Sequence, residues 1–301
     1  MKIGRKQTCN TIGLITRTSL RQRDMVQIKE NSASAQTVEL NIAGLPQRLK
    51  MRVHGSSDTI ISEKLRIEQC WEPYETQLLI KHFKSGGVFV DVGANIGYYT
   101  LLASDIAGSS GRVLAYEPDV NNFELLQENV RLNELNNVTL HPVAISDRNE
   151  VGNLFLSSDN FGDHRIYSDS GERASYPIQL VHGDQHLEAQ TQRIDFLKID
   201  TQGAEFYVVN GLRKLIAANS AHLCIILEFC PYGIRHSGAD AHQLIELLES
   251  FDMQYHIIDH IEHQLISAQA HHLSDWVAEL DNEPENEGFI NLLVTPRGYA
   301  V

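Results

Sequence analysis

Cysteine is scarce in this 301-residue chain, and the four present, Cys9, Cys70, Cys224 and Cys230, form no CxxC pair. That scatter argues against a disulfide framework or a cysteine zinc site and for reduced, partly buried thiols. No run of about 18 apolar residues occurs, which excludes a spanning helix and predicts no membrane insertion. Basic charge is short, with 25 Lys and Arg against 39 Asp and Glu and a formal net charge of -14. Such a balance argues against a sequence-independent grip on nucleic-acid phosphates, and equally against anionic membrane surfaces. HExxH spacing is missing among the 14 histidines, so His256, His260 and His263 read as a solvated face rather than a metal site. The start, MKIGRKQTCNTIGLITRTSLRQR, lacks the apolar core of a signal peptide; it shares only Arg and Ser/Thr content with transit peptides. The expectation is a cytoplasmic protein.

What is present is an ordinary globular composition, 42% hydrophobic and 21% charged. Residues 1–36 are polar without sustained periodicity and read as a variable or flexible N-terminus. Over 37–69, TVELNIAG and LKMRVHG alternate around a GLP turn signal and predict an accessory β-hairpin. PYETQLLIKHF then has helical spacing. From VFVDVG onward, strand and helix patterns alternate: RVLAYEP, NVTLHPVAI, DFLKID and HLCIILEF read as strands. YYTLLASDIA, NNFELLQENVRLN (opened by Asn capping), FYVVNGLRKLIAA and DAHQLIELLESF read as helices, with YHIID and FINLLVTP as later strands. Alternation of this kind imposes right-handed crossovers. The expected fold is α/β, a Rossmann-like, doubly wound and mainly parallel sheet with an antiparallel C-terminal strand, over residues 70–301. An insertion at about 146–192, rich in Asp, Ser, Gly and His, lies where ligands bind such sheets and carries two candidate strands, GNLFLS and SYPIQLV.

The first turn, DVGANIG, brings Gly93 and Gly97 where backbone must approach a ligand, ahead of a helix N-terminus. It is neither familiar phosphate loop: Asn95 occupies the second glycine position of GxGxxG, and no GK[ST] follows. S-adenosylmethionine, with an amino-acid end, a ribose and an adenine but no pyrophosphate, suits the turn better. Asp91 at the strand end can accept from its ammonium. Glu117, twenty positions after Gly97, can take both ribose hydroxyls.

These residues resemble the FkbM-type methyltransferases of the S-adenosylmethionine-dependent superfamily. The likeness runs over roughly residues 70–230, through VFVDVGANIGYYTLLA, RVLAYEPDVNNFELLQENVRLN, NVTLHPVAIS, IDFLKIDTQGAE and IILEF. It implies methyl transfer to a hydroxyl of a small-molecule or glycan acceptor, with Asp91, Gly93, Asn95, Gly97 and Glu117 holding the donor and Ser146 and Asp147 near the adenine. An alcohol needs help in losing its proton as it attacks. Asp200 and Glu228, closing the fourth and fifth strands, are the leading acid/base or anchoring candidates. His164 on the inserted loop is a further base candidate, and Asn160, Asp163 and Arg165 are candidates for binding the acceptor. Glu205 reads first as a helix-start acid, as does Glu75, which with Tyr74 could also cover the cofactor. No metal is expected, since two carboxylates make an incomplete oxygen shell. The rival readings are a nicotinamide-dependent oxidoreductase and a non-catalytic protein that binds the same donor.

Overall fold

The structure, a computed structural model, describes residues 35–45, 49–168, 173–283 and 285–301. The expected flexible N-terminus lies outside the described residues through position 34, and Cys9 with it.

The parallel strands form from branched and aromatic runs that are buried on both faces, except at the half-buried edge strand β5 (Val138–His141). They are β3 (Val88–Val92), β4 (Arg112–Tyr116), β5 (Val138–His141), β9 (Phe196–Ile199) and β10 (Cys224–Phe229). Three later strands, β11 (Met253–Asp259), β12 (Gln264–Ala268) and β13 (Ile290–Pro296), complete an eight-stranded sheet in the order β12-β11-β13-β10-β9-β3-β4-β5. β13 enters antiparallel between β10 and β11, as expected of the C-terminal strand.

Side chains alternate across the sheet with the pleat. Val90, Val92 and Leu114 join one core with helices α6 (Glu205–Gly211), α7 (Arg213–Asn219), α9 (Ala241–Glu249) and α10 (Ala270–Asp281). Phe89, Val113 and Ala115 join the other, with α2 (Pro73–His82), α3 (Tyr98–Ala107) and α4 (Val120–Leu132). α3 is buried nearly all round, which suits a helix packed beneath other elements rather than on the surface.

The accessory hairpin is present as β1 (Gln36–Glu39) and β2 (Lys50–Val53), followed by the unanticipated α1 (Ile61–Glu68). It is sewn to α4 by Asn129, which is fully buried. The Arg52 amide donates to its Oδ1 at 2.6 Å, while its Nδ2 donates to the carbonyls of Arg52 at 2.9 Å and Ile96 at 2.8 Å. Asn129→Ala is therefore expected to cost about 3 kcal/mol, roughly 1 kcal/mol for each lost hydrogen bond, read as a lower urea midpoint with unchanged slope.

Several local readings change. NVTLHPVAI is not one strand: Pro142, which has no N–H for a ladder, follows β5, and β6 (Ala144–Ser146) joins a separate three-stranded sheet. Its partners are the inserted strands β7 (Glu150–Phe155) and β8 (Ser175–His182), in the order β6-β8-β7, preceding the short α5 (Gly183–Glu188). FYVVNGLRKLIAA is two helices. Gly211 ends the first against β6, where a Cβ would stand 2.0 Å from the Ser146 carbonyl. α4 is capped by the Asp119 carboxylate, which accepts from the Asn122 amide at 2.8 Å, not by an asparagine side chain. β12, α10 and the short α8 (Pro231–His236) were not anticipated. Among the described residues, no helix is long and apolar enough to cross a membrane.

Candidate donor and acceptor cleft

Three residues with positive φ shape the turn after β3: Gly93 at 84°, Asn95 at 51° and Gly97 at 95°. The turn rests on the next strand, since the amides of Gly93 and Ala94 both donate to the Tyr116 carbonyl at 3.0 Å. At Gly93 the neighbouring chain comes so close that a Cβ would lie 1.8 Å from the Asp200 carbonyl oxygen.

Asp91 points from β3 toward α3 and accepts from Thr100 Oγ1 at 2.6 Å. Burial pushes its pKa up to about 6. Glu117, just beyond β4, is held at both oxygens: Oε2 accepts from the Asn95 amide at 2.7 Å and Oε1 from the Asp119 amide at 2.8 Å. Those bonds favour the carboxylate, but burial, with Asp119 close by, outweighs them and raises the pKa to about 8.

Both acids line a cleft at the carboxyl ends of the parallel strands, about 1060 Å³ including its open mouth, where ligands of open α/β sheets bind. Gly93, Asn95, Ser146, Asp200 and His164 share its wall. The other sequence candidates stand behind that wall. Gly97 begins α3 under Leu126, and Asp147 is taken by Asn210 Nδ2 at 3.0 Å and Arg148 Nε at 3.2 Å. Glu228 accepts from Gln202 Nε2 at 3.0 Å, which also reaches Asp200 at 2.9 Å. Asn160 turns its Oδ1 onto the Gly162 amide, and Asp163 pairs with Arg165 Nε at 2.6 Å and Arg173 Nη2 at 2.8 Å. Phe161 and Gly162, between those last candidates, do line the cleft.

A buried ammonium was missed by sequence reasoning. Lys198 lines the cleft, pairs with Asp200 at 3.1 Å, lies 3.9 Å from Glu75 and sits 4.7 Å from the centre of the Tyr99 ring. Burial works to discharge it, but Asp200, Glu75 and Glu72 together outweigh that and hold it protonated. The acids around it are crowded. Burial and then Glu75 raise Glu72 to about 7, and burial followed by Asp200 and Glu205 holds Glu228 well above the carboxylate range. Glu75 is fully buried; it accepts from Asn291 Nδ2 and Tyr99 and has His260 Nε2 3.3 Å away. The only hint in the sequence was the lysine of LKID, a charged residue in an otherwise apolar strand.

The histidines read as a solvated face divide. His256 is buried, His260 joins Glu75, and His263 stacks on Tyr74. Among the described residues, no group of three or more His, Cys, Asp or Glu side chains could hold a metal ion.

The cleft fits S-adenosylmethionine by its chemistry. Each Glu117 oxygen accepts one backbone N–H, leaving acceptor capacity for a diol. Ile145, Leu154, Ile166 and Leu180 offer an apolar wall for a purine. Even with Glu117 protonated, Asp91 and Asp200 outnumber Lys198, which favours a ligand of net positive charge.

Comparison with known proteins agrees. Residues 91–256 match the model of the Methyltransferase FkbM domain. Methyltransferase 1 of Beauveria bassiana (strain ARSEF 2860) is 24% identical over 172 residues, 50% of this chain and 66% of the relative. The chain thus spans just under two thirds of that protein. Among solved structures, Methyltransferase FkbM from Methylobacillus flagellatus KT aligns at a TM-score of 0.41 with 16% identity, over 69% of this chain and 43% of that one. A SAM-dependent methyltransferase from Aquifex aeolicus aligns at 0.38 with 12% identity, over 77% and 91%. With the family model covering more than half of its length, the chain belongs to the FkbM methyltransferases, whose methyl donor is S-adenosyl-L-methionine.

Proposed function

We propose that this protein transfers a methyl group from S-adenosyl-L-methionine to a hydroxyl oxygen of a small-molecule or glycan acceptor. The observation that carries the reading is the pairing of Glu117, fixed at both oxygens by the amides of Asn95 and Asp119, with Asp91 on the adjacent strand across one cleft. In this reading Asp91 and the Gly93 backbone receive the amino-acid end, Glu117 the ribose, and Ser146 the region of the adenine. When bound, the donor supplies a methyl group on a sulfonium, and in-line positioning away from water does much of the remaining work. Asp200 is the residue that takes the acceptor's proton: it lines the same cleft and is aimed by Lys198 on one oxygen and Gln202 on the other. Glu228 acts behind it through Gln202. Residues 70–301 form the catalytic unit, with the hairpin region 37–69 added to it.

The deciding experiment incubates the protein with methyl-labelled donor and small-molecule extracts and follows any species gaining one labelled methyl by mass spectrometry. The identity of the labelled atom reports oxygen or nitrogen. Asp200→Asn is expected to slow labelling about 100-fold or more, the usual contribution of a positioned base, while S-adenosylhomocysteine binding changes by less than about threefold. Saturable NADH binding without binding of S-adenosylhomocysteine would instead support the oxidoreductase.

A further inference from the structure

Residues 157–164 leave β7 and cross one end of the cleft, tied down on both sides. Toward the N-terminal region, the Thr59 amide donates to the Asp159 carbonyl at 2.9 Å, and Gly162 lies so close to Ile61 that a Cβ would come within 2.3 Å of its Cδ1. Toward the donor turn, one carbonyl takes two side-chain amides: Asn95 Nδ2 at 3.0 Å and Asn122 Nδ2 at 2.9 Å both donate to Phe161 O. Asn122 is set in place by His54 Nε2, 2.8 Å from its Oδ1, and the His54 ring meets the Phe161 ring edge-on at 4.8 Å. Asn95 thus serves the cleft through its backbone, which holds Glu117, while its side chain holds the crossing segment.

At the end of the segment His164 lines the cleft on the β4 side, with Asp119, which follows Glu117, as its nearest acid. Its Nδ1 accepts the Ser157 amide at 3.1 Å, so in the neutral ring the proton sits on Nε2. Among the described residues that Nε2–H has no hydrogen-bond acceptor within reach. The Asp119 Oδ2 is 3.8 Å away, beyond hydrogen-bond reach, and already takes the Tyr176 hydroxyl at 2.6 Å. A ring with one nitrogen occupied as an acceptor and the other protonated has no lone pair with which to remove a proton from an alcohol. It has one donor to offer.

We infer that residues 157–164 form a strap over the nucleoside end of the cleft and that His164, rather than acting as a base, positions the methyl donor by giving its Nε2–H to an acceptor atom of the nucleoside. The inference rests on the reading of this cleft as the donor site. Asn95 and Asn122 latch the strap, and the latched strap holds His164 at the cleft wall where the ligand would lie.

The test is calorimetric binding of S-adenosylhomocysteine to the full chain and to two variants. His164→Ala is expected to weaken binding about tenfold or more. His164→Gln, whose amide can accept from Ser157 and still donate into the cleft, is expected to recover to within about threefold. Nitrogen-15 spectra of the wild-type imidazole should show the Nε2–H tautomer with and without ligand, with the Nε2 resonance shifting on binding. Amide exchange over residues 157–164 should slow when ligand is added. Equal binding by wild type and His164→Ala, or an Nδ1–H tautomer in the wild type, overturns the inference while leaving the donor site intact. Should His164→Ala not fold, the Gln variant and the tautomer decide. A wild-type protein that binds no S-adenosylhomocysteine overturns the donor site itself, and this inference with it.

Discussion

Gly93→Ala is expected to destabilise the protein by at least about 4 kcal/mol, in the range reserved for backbone strain combined with overpacking. Two costs add. The first is conformational: at φ 84° an L side chain carries a left-handed penalty of about 1–2 kcal/mol. The second is steric and larger. The added Cβ would fall 1.8 Å from the Asp200 carbonyl oxygen, and that carbonyl cannot swing away, because β9 is locked in register with β3 on one side and β10 on the other. Gly298 separates the two costs, having φ 76° and nothing within 4 Å of the position a methyl would take. Gly298→Ala should therefore cost only about 1 kcal/mol, the conformational part alone. Differential scanning calorimetry reads both; at about 2.1 cal/mol/K of unfolding entropy per residue, a chain of this size loses roughly 1.5–2 °C per kcal/mol. A Gly93→Ala protein melting within about 3 °C of wild type would show that the close approach between turn and β9 is wrong.

Changing Glu117 should have the largest effect on ligand binding. Glu117→Ala leaves the amides of Asn95 and Asp119 without acceptors and removes the candidate ribose contact. Above pH about 8, where Glu117 is a carboxylate, charge-assisted hydrogen bonds are each worth about 1.5–3 kcal/mol, so S-adenosylhomocysteine affinity should fall there by about 100-fold or more. Glu117 also confers a pH dependence whose sign is fixed. Burial raises its native pKa to about 8 from an ordinary value of 4.5. Between those values the native state keeps a proton that the unfolded chain releases, so its contribution to stability is full below about 4.5 and is lost as pH rises through 8. Other groups titrate nearby, with Asp91 at about 6 and Glu72 at about 7, so the diagnostic quantity is a difference. Wild type should lose melting temperature relative to Glu117→Gln as pH goes from about 5 to about 8.5. Binding should run the other way: ribose hydroxyls donate best to the carboxylate, so wild-type affinity rises with pH up to about 8, while the Gln variant keeps only the rise through about 6 that Asp91 contributes. Parallel pH profiles for the two proteins would remove Glu117 from the ligand's contacts.

Much of the site's frame was legible because it depends on short-range regularities. Short apolar runs ending in an acid announced β3, β4 and β9, and the glycines of DVGANIG announced a turn that no ordinary residue tolerates. The parallel order then brings Asp91, Glu117 and Asp200 to one end of the sheet. What failed did so for identifiable reasons. NVTLHPVAI reads as strand on both sides of Pro142, whose missing N–H marks a break, but only the neighbours of each half assign them to different sheets. Asn160, Asp163 and Arg165 had suitable chemistry on a suitable loop, but Asp163 is occupied by arginines and Asn160 by its own turn. Polar type does not reveal which partner a side chain has already taken.

The sequence by itself determined the alternation of strands and helices, the tight turn and the acids at the strand ends, because these follow from local sterics, the period of apolar residues and the direction of parallel strands. Only the tertiary structure decided which of those groups share a cleft and in what state of charge. Lys198 is ionised by Glu75 on α2 and by Asp200 just past β9, which lie far apart in the chain, and the nitrogen on which neutral His164 carries its proton is chosen by the amide of Ser157. Desolvation and hydrogen-bond partners are properties of the packed surroundings, and those exist only once distant segments have met.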